Sequence, residues 1–149
     1  MAVKTIQILA GAETSALVKT IQSYFRKELE LTGIVTNGFV LNSVVRELEK
    51  RNVDFFNGDY WQKVNEMKFS DEILDVGNVN VTMKFRISVL TQEKMSALAE
   101  ILEEFYGSRM RKSFLVKLLL KAYLYEKNKR WKIFYFFSNR WLDRILFLG

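Results

Sequence analysis

Residues 78–90, NVNVTMKFRISVL, decide how the rest of the chain is read. Apolar side chains stand at Val79, Val81, Met83, Phe85, Ile87 and Val89, and Asn80, Thr82, Lys84, Arg86 and Ser88 alternate with them. Successive side chains of a strand point to opposite faces. The two-residue period therefore predicts a half-buried strand over 79–90 and is hard to fit to a helix. Its apolar face needs a cover, and the residues that follow supply one. Thr91 is placed to cap a helix, with Glu93 in the first turn, where the helix dipole favours an anion. Met95, Leu98, Ile101, Leu102 and Phe105 form its apolar stripe, and Gly107 suits a left-handed helix end. A second helix is expected from about Arg109 to Lys127. Its centre, SFLVKLLLKAYLY, is apolar almost all round, interrupted by Lys117 and Lys121, which predicts burial on more than one side.

The same order occurs in weaker form at the N-terminus. In VKTIQIL, Ile6 and Ile8 fall on one side of a short strand, and Thr5 and Gln7 on the other. A helix over 13–31 carries Leu17, Val18, Ile21, Phe25 and Leu29, and Gly33 is expected to close it. Thr36 or Asn37 then caps a helix through Lys50 with Phe39, Val40, Val44, Val45 and Leu48 on its apolar face. Strand, helix, glycine turn and helix thus occur twice, which reads as an internal duplication of pattern with little residue identity. Between the repeats, turns are signalled at Asn57-Gly58 and at 76–78. Phe55, Phe56, Tyr60 and Trp61 are expected to pack back onto the core, with a short helix over 60–69. The division expected is a first strand-helix-helix unit at 1–50, an aromatic connector at 51–78, a second unit at 79–128 and a basic aromatic tail at 129–149. The tail reads as helical, with strand as the competing reading. The fold class is α+β, mostly helical.

Composition narrows the function. At 149 residues, 49% of them hydrophobic, the chain has the size of one domain or two small units with a real core. It holds no Cys, which excludes a disulfide framework and a cysteine-ligated zinc site. It holds no His, so the commonest general base and metal ligand are missing. Without Pro, no residue enforces a helix stop or a rigid linker. The opening MAVKTIQILAGAE lacks the pattern of a secretory signal, and no window reaches the roughly 18 uncharged apolar residues of a spanning helix. A cytoplasmic location is expected. The net charge of +6 is unevenly placed: over 108–149, eleven Lys and Arg face two acids, Glu126 and Asp143, which leaves −3 for 1–107. Cations crowded in this way attract polyanions.

A short strand, a helix, a glycine turn and a second apolar helix resemble the layout of the ribbon-helix-helix DNA-binding proteins. MKFRISVLTQEKMSALAEILEEFYGSRMRKSFLVKLLLKAYLYEK looks like one complete unit, and VKTIQILAGAETSALVKTIQSYFRKELELTGIVTNGFVLNSVVRELEK resembles a second, looser one. One such unit alone leaves its strand with two unpaired edges and its helices facing nothing; two units pair their strands antiparallel and interlock their helices. Both on one chain resembles the tandem members among plasmid-transfer accessory proteins. The resemblance implies that the paired strands enter the DNA major groove, with Lys84, Arg86 and Ser88 of the second unit and Thr5 and Gln7 of the first touching base edges. It further implies that the starts of the second helices hold phosphates. Those stretches are Ser108, Arg109, Arg111 and Lys112 in one unit, and Thr36 and Asn37, which bring no cation, in the other. Cations at a helix N-terminus oppose the dipole, and phosphate binding would account for Arg109, Arg111 and Lys112.

The expected function is sequence-specific binding of double-stranded DNA, as a plasmid-transfer accessory factor or a transcriptional regulator, without a cofactor. A homo-oligomer and a protein partner in a DNA-processing complex are compatible with it. The alternative is a peripheral membrane or protein-interaction module acting through the tail, where Trp131, Phe134, Phe137 and Trp141 sit among Lys129, Arg130, Lys132 and Arg140. A cover for the preceding helix, or an oligomer contact, is the simpler account of that tail, and a membrane surface the less favoured partner. Enzymatic activity is not expected: acidic pairs such as Glu103 and Glu104 fall on an exposed helix side, and no phosphate-cradling glycine loop is present.

Overall fold

The computed structural model describes residues 3–69 and 81–127. The turn expected at 76–78, the first two residues of the expected second strand and the tail at 129–149 lie outside the described residues. The described chain is α+β and mostly helical, in the order β1 (Lys4–Ala10), α1 (Ala12–Glu28), α2 (Asn37–Lys50), α3 (Gly58–Glu66), β2 (Val81–Ile87), α4 (Val89–Tyr106) and α5 (Lys112–Lys127). The two strands pair antiparallel within the one chain, with Lys4 opposite Ile87 and Ala10 opposite Val81. Each is seven residues long, and one residue, Gly11 or Ser88, separates it from the helix that follows. Alternation then sorts the side chains by face. Ile6, Ile8, Ala10, Phe85 and Ile87 are buried inward, and Thr5, Gln7, Leu9, Thr82, Lys84 and Arg86 are exposed outward.

Several boundaries differ from expectation. The second strand stops at Ile87, because the Ser88 side chain accepts a hydrogen bond from the Thr91 amide and serves as the N-cap. α4 therefore begins before Thr91, and Glu93 lies beyond its first turn. α1 ends at Glu28, and Gly33 plays no part in closing it. Glu30 takes the left-handed conformation (φ 51°), and the Leu31 amide donates back to the Arg26 carbonyl at 3.0 Å, which closes the end of the helix without a glycine. α5 starts at Lys112 rather than near Arg109. The connector helix runs over Gly58–Glu66, capped by Asn57, somewhat earlier than 60–69. Elsewhere the expected ends hold: Thr36 caps α2 by accepting from the Phe39 amide, and Gly107 ends α4 at φ 75°.

One hydrophobic core joins all seven elements. α5 is its hub, packing against α1, α2, α3 and α4, and it is buried over most of its circumference, as its uniformly apolar centre requires. The one cation this draws fully inside, Lys121, donates from Nζ to the Asn65 carbonyl at 2.9 Å and lies 3.9 Å from a Glu13 carboxylate oxygen. Burial pushes its pKa below the usual lysine value, and Glu13 opposes that shift. Of the connector aromatics, Phe55 and Trp61 are buried, with the Trp61 ring N–H donating to the Phe55 carbonyl at 3.0 Å. Tyr60 packs on Trp61 and donates to the Glu126 carboxylate at 2.8 Å; burial and that carboxylate push its pKa upward. Phe56, by contrast, stays exposed. No described helix is long and apolar enough to cross a membrane.

Among the described glycines, Gly38 marks the tightest approach, that of α2 to β2. A Cβ added at Gly38 would sit 2.5 Å from the Arg86 carbonyl oxygen and 2.9 Å from its amide nitrogen, whereas one added at Gly33 would meet nothing within 4 Å. Backbone cannot yield as a flexible side chain does. Gly38→Ala should therefore cost about 1–3 kcal/mol, and Gly33→Ala should stay within about 0.5 kcal/mol of the parent. Urea unfolding midpoints of the two variants check this.

Candidate nucleic-acid interface

The inward faces of both strands are sealed on the core, so the outward face is the chemically available one. The register sets its side chains in opposed pairs: Thr5 with Arg86, Gln7 with Lys84, and Leu9 with Thr82. All six are exposed. Neither Lys84 nor Arg86 has an acidic partner within ion-pair distance among the described residues. The ribbon thus presents two cations, an amide, two hydroxyls and a leucine on a surface two strands wide.

Of the five residues expected to touch bases, Thr5, Gln7, Lys84 and Arg86 share this face. Ser88 does not. It sits half-buried past the end of β2, with its hydroxyl engaged in capping α4 and its amide donating to the Asn42 Oδ1 at 3.0 Å. Alternation would have turned position 88 outward only had the strand continued, and the cap bends the chain away first.

The same asparagine holds the ribbon in place. Asn42 Nδ2 donates to the Arg86 carbonyl at 3.1 Å, and its Oδ1 accepts from both the Ser88 amide and the Thr91 hydroxyl, the latter at 2.7 Å. One turn earlier on α2, Asn37 Nδ2 donates to the Lys84 carbonyl at 3.4 Å while its Oδ1 accepts from Gln22 at 3.2 Å. With Gly38 between them, these side chains cover the outer edge of β2, whose backbone groups would otherwise be unpaired. Thr36 and Asn37, expected to hold phosphate, therefore spend their polar groups on the helix cap and on this strand edge.

The other expected phosphate residues are differently placed. Ser108, Arg109, Arg111 and Lys112 follow the Gly107 cap and are all exposed. The Arg111 carbonyl accepts from the amides of Phe114 and Leu115, which opens α5. Arg109 and Lys112 line a cavity of about 640 Å³ together with Lys4 of β1 and with Glu93, Glu100 and Glu103 of α4. The basic turn accordingly lies beside the end of the ribbon where Lys4 begins β1.

Three residues of the site were not among those expected: Lys4, Leu9 and Thr82. The signal for the last two was the alternation itself, which extends to both. Lys4 could be assigned only once the strand pairing brought it beside the α4–α5 turn. Among the described residues no group of three or more His, Cys, Asp or Glu is placed to hold a metal ion. No protein-family model matches the chain, and no curated protein or solved structure is significantly similar to it.

Removing the Asn42 side chain would strip partners from the Arg86 carbonyl, the Ser88 amide and the Thr91 hydroxyl at once. Asn42→Ala should lower stability by about 1–3 kcal/mol. It should also speed amide hydrogen exchange at Ser88 well beyond that at Ile6 on the far strand, which an exchange experiment on the folded protein reads directly.

Proposed function

We propose that this protein binds double-stranded DNA sequence-specifically by laying the β1–β2 ribbon in the major groove, in the manner its resemblance to tandem ribbon-helix-helix proteins implies. The observation that carries the reading is the antiparallel register, which gathers Thr5, Gln7, Lys84 and Arg86 on one exposed face while the opposite face is closed by the core. A two-stranded ribbon fits a major groove about 12 Å wide, and Arg or Lys on guanine and Gln on adenine are the side-chain pairings that groove favours. Ser108, Arg109, Arg111 and Lys112 supply the contacts that fix position on the phosphates, with Lys4 beside them. On this reading Asn37 contributes by fixing β2 and Thr36 by capping α2, rather than by holding phosphate themselves. The biological setting is a plasmid-transfer complex or transcriptional regulation, and a homo-oligomer or protein partner would act through surfaces other than the ribbon.

Base contacts and phosphate contacts have different signatures. Arg86→Ala should weaken binding to a selected site by about 1–3 kcal/mol and relax its sequence preference. Arg109→Ala and Arg111→Ala should weaken binding to every duplex alike and each reduce the slope of log affinity against log salt by about 1. Gel-shift titrations at several salt concentrations, on a selected site and on random duplex, measure both effects. Binding unchanged in all three variants would remove the proposed interface.

A further inference from the structure

The outward face of the ribbon is chemically lopsided. Every cation on it belongs to β2, at Lys84 and Arg86, and each is opposed across the register by an uncharged residue of β1, Gln7 and Thr5. The third pair sets Leu9 against Thr82, and Leu9 is 61% exposed, a large apolar side chain on an otherwise polar strand face. The flanks repeat the imbalance. Arg109, Arg111 and Lys112 stand exposed at the start of α5, whereas the start of α2 is uncharged and tied to β2 through Asn37, Gly38 and Asn42.

A ribbon made from two copies of one strand must present the same side chains twice, and its site mirrors that two-fold symmetry as a palindrome. Here both strands belong to one chain and differ at every outward position, so nothing imposes a palindrome. We infer that the ribbon reads a duplex site without two-fold symmetry, in which β2 faces guanine through Lys84 and Arg86 and β1 faces an A·T step through Gln7 and through Leu9 packed on a thymine methyl. The chemistry follows from the groove. Thymine is the one base that shows a methyl group there, and it is the natural contact for an aliphatic side chain that has no polar group to offer. Leu9 is thereby a specificity-determining residue, and the one-sided cationic turn orients the protein on the site.

The inference rests on the proposed major-groove reading, and the test separates the two. Selection from duplexes randomised over about ten base pairs, one helical turn and room for a single ribbon, should return a consensus with guanine in one half and an A·T pair in the other. Replacing the thymines of that consensus singly by uracil, which removes only the methyl, should at one position weaken binding about threefold to tenfold. With the Leu9→Ala variant the same replacement should change binding less than about twofold. A palindromic consensus, or a uracil penalty of equal size in parent and variant at every position, overturns the inference while leaving the ribbon in the groove. Failure to retain any duplex at low salt overturns both.

Discussion

The pairing of β1 with β2 is the contact on which the other elements depend. Each strand lacks a neighbour within its own half of the sequence, and either one left alone would expose two hydrogen-bonding edges and an apolar face. Joined, they turn Ile6, Ile8, Phe85 and Ile87 to one side, where the helices close over them. The cost is topological. The strands lie at the starts of the two halves, so β1 must wait for α1, α2, α3 and the connector before its partner is reached. Loop-closure entropy rises only slowly with length, but contacts of this sequence separation slow folding. The compensation comes from α5, the last described element, which touches four other helices and ties both halves to one core.

Once the strands are paired, α2 fixes how they are presented. Gly38 lets the helix approach the Arg86 backbone closely enough for Asn37 and Asn42 to reach the edge carbonyls, and any larger residue there would hold the helix off. Two asparagines thus do for β2 what a third strand would do in a larger sheet, at the expense of the polar groups that would otherwise be free at the start of α2. The two halves, alike in element order, diverge at this point in chemistry: one second helix begins with side chains turned to its own protein, the other with arginines turned to solvent.

Much of this was readable from the residues. The alternation through Met83, Phe85 and Ile87 against Thr82, Lys84 and Arg86 fixes the faces of β2 because a strand's period leaves no other choice. The apolar run at 114–125 announces a helix buried nearly all round because no amphipathic placement could hide it. The ends were harder. Ser88 and Thr91 are both good caps by type, and the Asn42 side chain, contributed from 46 residues away, holds the Ser88 amide in place. Glu30 adopts a conformation that glycine favours, with Gly33 close by, because the hydrogen bond to Arg26 and not residue preference sets where α1 stops. Register was beyond sequence reasoning altogether, and with it the place of Lys4 beside Arg109, since nothing in either strand's own residues specifies its partner's alignment.

Carrying both strands on one chain has a consequence for dilution. A ribbon assembled from separate chains predominates only at concentrations above its dissociation constant, so its abundance falls steeply as copies become scarce. Here the second strand is always present at the effective concentration set by its tether, and ribbon assembly is a unimolecular step. The surface is therefore intact in a single molecule. It should persist on dilution without the threshold that dimerisation imposes.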